Sequence, residues 1–229
     1  MRRAAQISAI APPPAKMLDF GGGFGFIAER FRDMGYQVDV LEESPNALDR
    51  LRQHGLSTLR ELGEIKKNSY DVITAWHVIE HYPEPRALLR ALHNGLKETG
   101  TLVIAVPNAG GLFAKLSFKH WIWTMPWHLH YFQPLSLRTV LRRSGFQIVR
   151  EFTDVGDVAA LEVMLGGMLR GSTGRLSTHG NAATTLLPPS LLRFALTGLL
   201  RPFSRIMQRF AKSVGMGEEI VIETRKSAQ

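Results

Sequence analysis

The nine residues Met17-Leu18-Asp19-Phe20-Gly21-Gly22-Gly23-Phe24-Gly25 decide the fold. A short apolar run feeds a glycine-rich turn and a helical pattern follows. In an open α/β sheet this is where glycines let backbone amides approach a ligand closely. The spacing narrows the ligand class. Counted from Gly21, the sixth position of a G-x-G-x-x-G fingerprint falls on Phe26, so the pyrophosphate pattern fails. The pattern D-x-G-x-G-x-G fits at Asp19, Gly21, Gly23 and Gly25. An acid two residues ahead of the first glycine repels a diphosphate, but it forms a charge-assisted hydrogen bond with an ammonium group.

Outward from this turn, short β-branched runs alternate with amphipathic helical stretches, the pattern of a parallel sheet covered on both faces. Lys16 to Phe20 reads as a strand, Phe24 to Met34 as a helix and Gln37 to Leu41 as a second strand. Pro45 to His54 reads as a helix with Ser44 as N-cap and proline at its first position. Leu56 to Leu59 is a weakly written third strand. Asp71 to Ala75 and Thr101 to Val106 are buried strands flanking a helix over Pro85 to Leu96, with Gly100 placed as a C-cap glycine. Ser136 to Ser144 reads as a helix with Ser136 as N-cap, and Phe146 to Phe152 and Glu219 to Thr224 as the last strands. The expected fold is α/β, with a doubly wound, mostly parallel sheet of Rossmann-like type. Its last strand is antiparallel, and a helical insertion lies toward the C-terminus.

At 229 residues and 45% hydrophobic composition, the chain supports one sizeable core and not two independent ones. The expected organisation is one cofactor domain over residues 1–153 and 218–226, with 109–135 as a lid or substrate loop. Residues 154–217 then form a helical insertion, and its Gly/Ser/Thr-rich stretch 171–185 reads as flexible. The chain has no cysteine, which excludes disulfides, thiolate metal sites, iron–sulfur clusters and cysteine nucleophiles. Arg2 and Arg3 lead into a short Ala/Ile stretch and then Pro12 to Pro14, without the apolar core of an export signal. No apolar run reaches the roughly 18 residues of a membrane span. The expectation is a cytoplasmic protein that does not cross a bilayer. The net charge of +8 points to an anionic partner, either nucleic acid or a lipid surface.

Glu42 closes the second strand 23 residues after Asp19, where this kind of fold supplies an acceptor for both ribose hydroxyls; Glu43 is the adjacent alternative. S-adenosylmethionine combines a ribose and an ammonium and carries no phosphate, so it is the cofactor these acids predict. Four segments resemble class I S-adenosylmethionine-dependent methyltransferases, in the branch similar to ubiquinone-biosynthesis O-methyltransferases. They are LDFGGGFG at 18–25, LEESP at 41–45, YDVITAWHVIEHYPEP at 70–85 and WHLHYFQPLSLRTVLRRSGF at 127–146. The resemblance implies that Asp19, Gly21, Gly23 and Gly25 hold the methionine part and Glu42 the ribose, while Trp76 and His77 border the cofactor. Two departures stand out. Leu59-Arg60-Glu61-Leu62 replaces the Gly-Asp pair that the family places near the adenine, which leaves the adenine contacts unassigned. Only about 15 residues precede the first strand, too few for the family's N-terminal covering helices.

Methyl transfer is an in-line displacement at a sulfonium, in which positioning does most of the work and a base serves only a nucleophile of high pKa. His128 is the first candidate base because it matches the family's H-L-x-x-F position, and His130 is the second; both also suit a packing role in the loop. His81, with Glu80, reads as a helix-start element supporting the site. His77, Glu80 and His81 have the i, i+3, i+4 spacing of one helical face. Some relatives place a divalent ion on a Glu-x-x-Glu-His run. Histidine comes first here and Pro83 follows soon, so no metal is expected. Trp121, Trp123 and Trp127 suit either substrate stacking or a small core of the loop itself. Residues 190–214 place Arg201, Arg205 and Arg209 opposite Leu199, Phe203, Ile206 and Phe210. That face suits an anionic membrane or docking on the protein's own core. The leading reading is an O-methyltransferase of a small-molecule or lipid-linked substrate. A nucleic-acid methyltransferase is less favoured, because the fourth strand ends in Ala75-Trp76-His77-Val78 and not in an N-P-P-Y type motif. A non-catalytic cofactor- or membrane-binding protein of the same fold is the third reading.

Overall fold

The computed structural model describes residues 2–117, 121, 123–154, 206–207 and 209–227. In chain order the elements are α1 (Arg2–Ile10), β1 (Lys16–Phe20), α2 (Phe26–Asp33), β2 (Gln37–Leu41), α3 (Pro45–Gln53), β3 (Ser57–Leu59) and β4 (Tyr70–Trp76). They continue with α4 (Pro85–Gly95), β5 (Leu96–Pro107), α5 (Leu112–Ser117), α6 (Pro134–Arg143), β6 (Phe146–Asp154) and β7 (Glu219–Lys226). The sheet order is β3-β2-β1-β4-β5-β7-β6, parallel from β3 through β5 and with an antiparallel β7. The expected Rossmann-like fold is therefore present. Strand order reverses between β1 and β4, which opens a crevice at the C-terminal ends of these strands.

Alternation along the strands builds two cores. Leu18, Phe20, Ile73 and Ile104 face α4 through Leu88, Leu89 and Leu92, and α6 through Leu137 and Leu141. Met17, Val40, Val72 and Val103 face the other way, onto Ala28 and Phe31 of α2 and Ala4 and Ile7 of α1. Each large side chain buried this way contributes about 1.5–3 kcal/mol.

Three expectations need correction. Helix α4 ends at Gly95 with Leu96 as its C-cap, and Gly100 lies inside β5. Between the pairs Tyr70–Leu96 and Val72–Thr101 the partner strand carries extra residues. There a Cβ on Gly100 would stand 2.8 Å from the Tyr70 carbonyl oxygen. Close backbone approach, and not capping, requires this glycine. Helix α6 begins at Pro134 with Gln133 as N-cap, and Ser136 is the N3 partner of a capping box. Its hydroxyl accepts from the Gln133 amide at 2.9 Å. The third correction is α1, which the short Ala/Ile stretch did not suggest. Ala4 and Ile7, three residues apart, supply the buried stripe that docks it.

The chain divides into two compact units: Met1–Pro107 with Leu129–Phe152 and Ile220–Gln229, and Asn108–His128 with Thr153–Glu219. Within the second unit, the Asn108 side-chain amide donates to the Gly217 carbonyl at 2.8 Å and the Leu112 amide to Met216 at 2.9 Å. The stretch 171–185 and most of the helix expected over 190–214 lie outside the described residues; residues 209–213 are helical.

Candidate functional site

The crevice is built by two turns, one following β1 and one following β4. Gly21, Gly23 and Gly25 have φ of 69°, 55° and 84°, in the left-handed region that an L side chain resists. A Cβ on Gly21 would collide with the Val78 side chain, so only glycine lets the two turns approach. Gly23 differs: nothing lies within 4 Å of its Cβ direction, so its backbone faces open space. Gly25 forms the N-cap of α2.

Asp19 is 2% exposed. In the β1–β4 register it stands beside Thr74, whose hydroxyl donates to Asp19 Oδ1 at 2.7 Å. Burial pushes the Asp19 carboxyl up to about 6, against the opposing effects of the Thr74 hydrogen bond and the Arg3 charge. At neutral pH the group is still mostly a carboxylate. Arg3 comes from α1, and its guanidinium lies 4.3 Å from the centre of the Trp76 ring. This places one cation and one buried anion near each other.

Glu42 closes β2 and turns toward the glycines. Its Oε2 accepts from the Gly23 amide at 2.8 Å, and its Oε1 accepts from the amides of Glu43 and Ser44, each at 2.9 Å. Ser44 occupies the N-cap position of α3 without a side-chain capping bond, so the Glu42 carboxylate satisfies amides there instead. Glu43 has a different partner and accepts from the Tyr82 hydroxyl at 2.7 Å. Tyr82 packs its ring against Phe20, with centroids 5.7 Å apart. Burial and the Glu43 hydrogen bond hold the Tyr82 hydroxyl well above the usual tyrosine range, so it stays a donor. A cavity of about 400 Å³ opens among Gly21, Glu42, Glu43, His77, His81 and Tyr82. Small-molecule sites run from roughly 300 to 1,000 Å³.

His77 lines this cavity at a φ of 55°, one residue beyond β4. Its Nδ1 lies 3.5 Å from Oε1 of Glu80, which is 1% exposed. Glu80 and His81 sit in a single 3₁₀ turn over Ile79–His81. His77 precedes that turn, so the helical face suggested by the i, i+3, i+4 spacing does not form. The Glu80 carbonyl accepts from the Leu129 amide at 2.9 Å and the His130 amide at 3.1 Å. The His130 ring packs 6.0 Å from Phe132. Trp76 is not among the cavity-lining residues and carries Arg3 instead. His128 belongs to the second unit, where it is buried and stacks on Trp123 with ring centroids 6.1 Å apart and planes 13° from parallel. Trp121 is buried and Trp127 exposed.

The structure thus brings Gly21, Glu42 and His77 to the lining of one cavity in the first unit, with Gly23 tied to Glu42 through its amide; Asp19 is buried behind the glycine turn and, like Gly25, does not line the cavity. Sequence reading missed Arg3 and the Glu43–Tyr82 pair. Arg3 had a faint signal in the helical spacing of Ala4 and Ile7; the Glu43–Tyr82 pair had none, because 39 residues separate its members.

The acids, the phosphate-free glycine turn and the sheet order define a class. Residues 1–151 match the methyltransferase domain family, and the chain belongs to it. Its cofactor is S-adenosylmethionine. The chain is 27% identical over 164 residues to the ubiquinone biosynthesis O-methyltransferase of Xanthomonas axonopodis pv. citri, covering 64% of this chain and 69% of that protein. Among similar curated relatives the covered share of their length falls to 63%. A SAM dependent methyltransferase from Archaeoglobus fulgidus has the same fold, with a TM-score of 0.63, 15% identity and coverage of 98% of this chain and 92% of that one. So does the 1,6-didemethyltoxoflavin-N1-methyltransferase of Burkholderia thailandensis, solved with bound S-adenosylhomocysteine. There the TM-score is 0.56 at 16% identity, covering 99% and 77% of the two chains.

The residues present fit the cofactor. A buried carboxyl at Asp19, a carboxylate at Glu42 and an unobstructed backbone at Gly23 are groups of the types that suit an ammonium, ribose hydroxyls and close ligand approach.

Proposed function

We propose that the chain transfers the methyl group of S-adenosylmethionine to an oxygen atom of a small-molecule or lipid-linked acceptor. The observation that carries this reading is the hydrogen bond that ties the Glu42 carboxylate to the Gly23 amide of a glycine turn preceded by the buried acid Asp19, a turn whose spacing does not match the diphosphate pattern. When bound, the cofactor supplies a methyl group activated by a sulfonium. Asp19 holds the ammonium, and Arg3, beside it on the Trp76 ring, is suited to the carboxylate of the same amino acid. Glu42 orients the ribose, and His77 borders the cofactor. His128 and His130 are the candidate bases, each taking the proton of the acceptor hydroxyl onto an imidazole nitrogen and releasing it to solvent.

The oxygen-methylating, lipid-linked form of the reading draws on the similarity to ubiquinone biosynthesis O-methyltransferases and on exposed apolar side chains near the C-terminus. Ile206 and Phe210 are 64% and 57% exposed, and Phe210 shares the helical residues 209–213 with Arg209 and Lys212, a pattern suited to an anionic membrane surface. Among the described residues no helix is long and apolar enough to cross a membrane.

Titration with S-adenosylhomocysteine by calorimetry tests the cofactor, and incubation of bacterial lipid extract with methyl-labelled cofactor tests the acceptor. The expected result is micromolar binding and label in the organic phase as an ether that survives mild base. Label found only in water-soluble or base-labile products overturns the lipid O-methyl reading. With an acceptor in hand, His128→Ala should lower turnover and leave cofactor affinity intact. Equal loss of both makes His128 structural.

A further inference from the structure

The stretch between β3 and β4, Leu59-Arg60-Glu61-Leu62, turns inward on itself: the Arg60 amide donates to Glu64 at 3.3 Å, and Leu62–Glu64 closes a 3₁₀ turn. It offers the cavity no side chain, since none of its residues lines it. A purine in this crevice therefore needs another polar partner.

Position singles out Glu43. The purine hangs from the ribose that Glu42 reads, and the Cα atoms of consecutive residues are about 3.8 Å apart. A side chain next to the ribose acceptor, held by a different partner in the same cavity, is therefore placed to reach past the ribose toward the base. The two acids have different partners: Glu42 is drawn to the Gly23 amide and Glu43 to the Tyr82 hydroxyl, and both line the cavity. Phe20, Leu41, Val78 and Tyr82 supply flat or apolar walls in the same cavity, suited to a planar heterocycle. The carboxylate of Glu43 is an acceptor with roughly four lone-pair sites, of which Tyr82 takes one on Oε1. What remains is a fixed acceptor facing the cavity. At the exocyclic position adenine presents an amine, a donor, whereas a 6-oxo purine presents a carbonyl oxygen there and carries its donor one atom away at N1–H.

Resting on the S-adenosylmethionine reading of this crevice, we infer that Glu43, held in place by Tyr82, accepts the exocyclic amine of the cofactor's adenine and makes the site selective for 6-amino over 6-oxo purines. Glu43 and Tyr82 are then specificity residues for the cofactor, distinct from Asp19 and Glu42, which read its amino acid and its ribose. A carboxylate fixed at the exocyclic position by Tyr82 is suited to this, because a carbonyl oxygen there gives the anion no proton and the base must shift to offer its N1–H instead.

Calorimetric titration with S-adenosylhomocysteine and with S-inosylhomocysteine, its 6-oxo counterpart, tests the assignment without any methyl acceptor. The wild-type chain should bind the inosyl compound about tenfold more weakly or worse, as expected for one lost hydrogen bond to a charged group. Glu43→Gln should collapse that ratio toward one, because an amide both donates and accepts. Tyr82→Phe should shrink it partway while leaving the melting temperature nearly unchanged. An undiminished ratio in Glu43→Gln, with S-adenosylhomocysteine still bound, overturns the role of Glu43 and leaves the cofactor reading standing. Absence of S-adenosylhomocysteine binding in the wild type overturns both. If the pair merely ties two loops together, both variants will lower the melting temperature and leave the ratio alone, and this too overturns the inference.

Discussion

The carboxylate of Glu42 accepts a hydrogen bond from the backbone amide of Gly23 at 2.8 Å. This contact ties the end of the second strand to the open position of the glycine turn, so the acid proposed to read the ribose and the backbone proposed to face the methionine part are set against each other. Glu42→Ala removes both the acceptor and the tether. A hydrogen bond to a charged group contributes about 1.5–3 kcal/mol, so affinity for S-adenosylhomocysteine should fall on the order of 10- to 100-fold. Calorimetry reads this directly, and an unchanged dissociation constant removes Glu42 from the site.

Asp19 carries a pH dependence with a definite sign. Burial raises its carboxyl from 3.8 to about 6, so the folded protein keeps this proton to higher pH than the unfolded chain does. Ionisation therefore costs stability as pH rises from about 4 to about 6, and the cost is complete above that range, at about 3 kcal/mol. Asp19→Asn should raise the melting temperature of the ligand-free protein at pH 7.5, with little gain at pH 4, and should bind the cofactor more weakly than the wild type at pH 7.5 but about as weakly as the wild type at pH 4. In the wild type, affinity should drop as pH falls below about 6, because protonation removes the anion that the ammonium needs. A variant that melts no higher at pH 7.5 and binds as tightly contradicts the assignment.

Gly23 and Gly21 should respond differently. At Gly23 a side chain meets no protein atom, so Gly23→Val should destabilise by only about 1–2 kcal/mol from the left-handed backbone while blocking the ligand. At Gly21 the same change drives into Val78 and should lower the melting temperature far more. Equal melting temperatures for the two variants would falsify this division of labour.

The C-terminal segment has its own test. Ile206 and Phe210 are exposed while Ala211 is buried, so Ile206→Asp and Phe210→Asp place carboxylates in water and should leave the melting temperature within a degree or two. If this face meets anionic membrane, each basic residue near the surface adds about 1 kcal/mol of attraction. The Asp variants, and Arg209→Gln with Lys212→Gln, should then float poorly with phosphatidylglycerol vesicles. Unfolding by the Asp changes, with flotation untouched by the Gln changes, rules out the lipid surface.

Much of this protein follows from local sequence. The strands over Lys16–Phe20 and Gln37–Leu41 are legible because alternating and continuous apolar runs have few alternatives. Asp19, Gly21, Gly23 and Gly25 are legible because a tight turn restricts both residue type and spacing. Capping details were not: Ser136 suits an N-cap by type, yet Pro134 already sets the helical φ two residues earlier. Gly100 suits a helix stop, yet the extra residues opposite β4 claim it for the sheet. The helix around Arg3 is too short to hold alone in water and owes its form to burial of Ala4 and Ile7.

What the sequence by itself determined is the glycine turn with its spacing unlike a diphosphate site, the order of the strands and of α2, α3, α4 and α6 along the chain, and the presence of two adjacent acids at the end of the second strand. Only the tertiary structure decided how those acids divide. Glu42 turns to Gly23 and Glu43 to Tyr82 because β1 lies between β2 and β4, bringing the ends of three strands to one crevice. No local pattern encodes that order. It is chosen by the burial of both faces of the whole sheet, which offsets the entropy of closing long loops and places residues 39 positions apart within a hydrogen bond of each other.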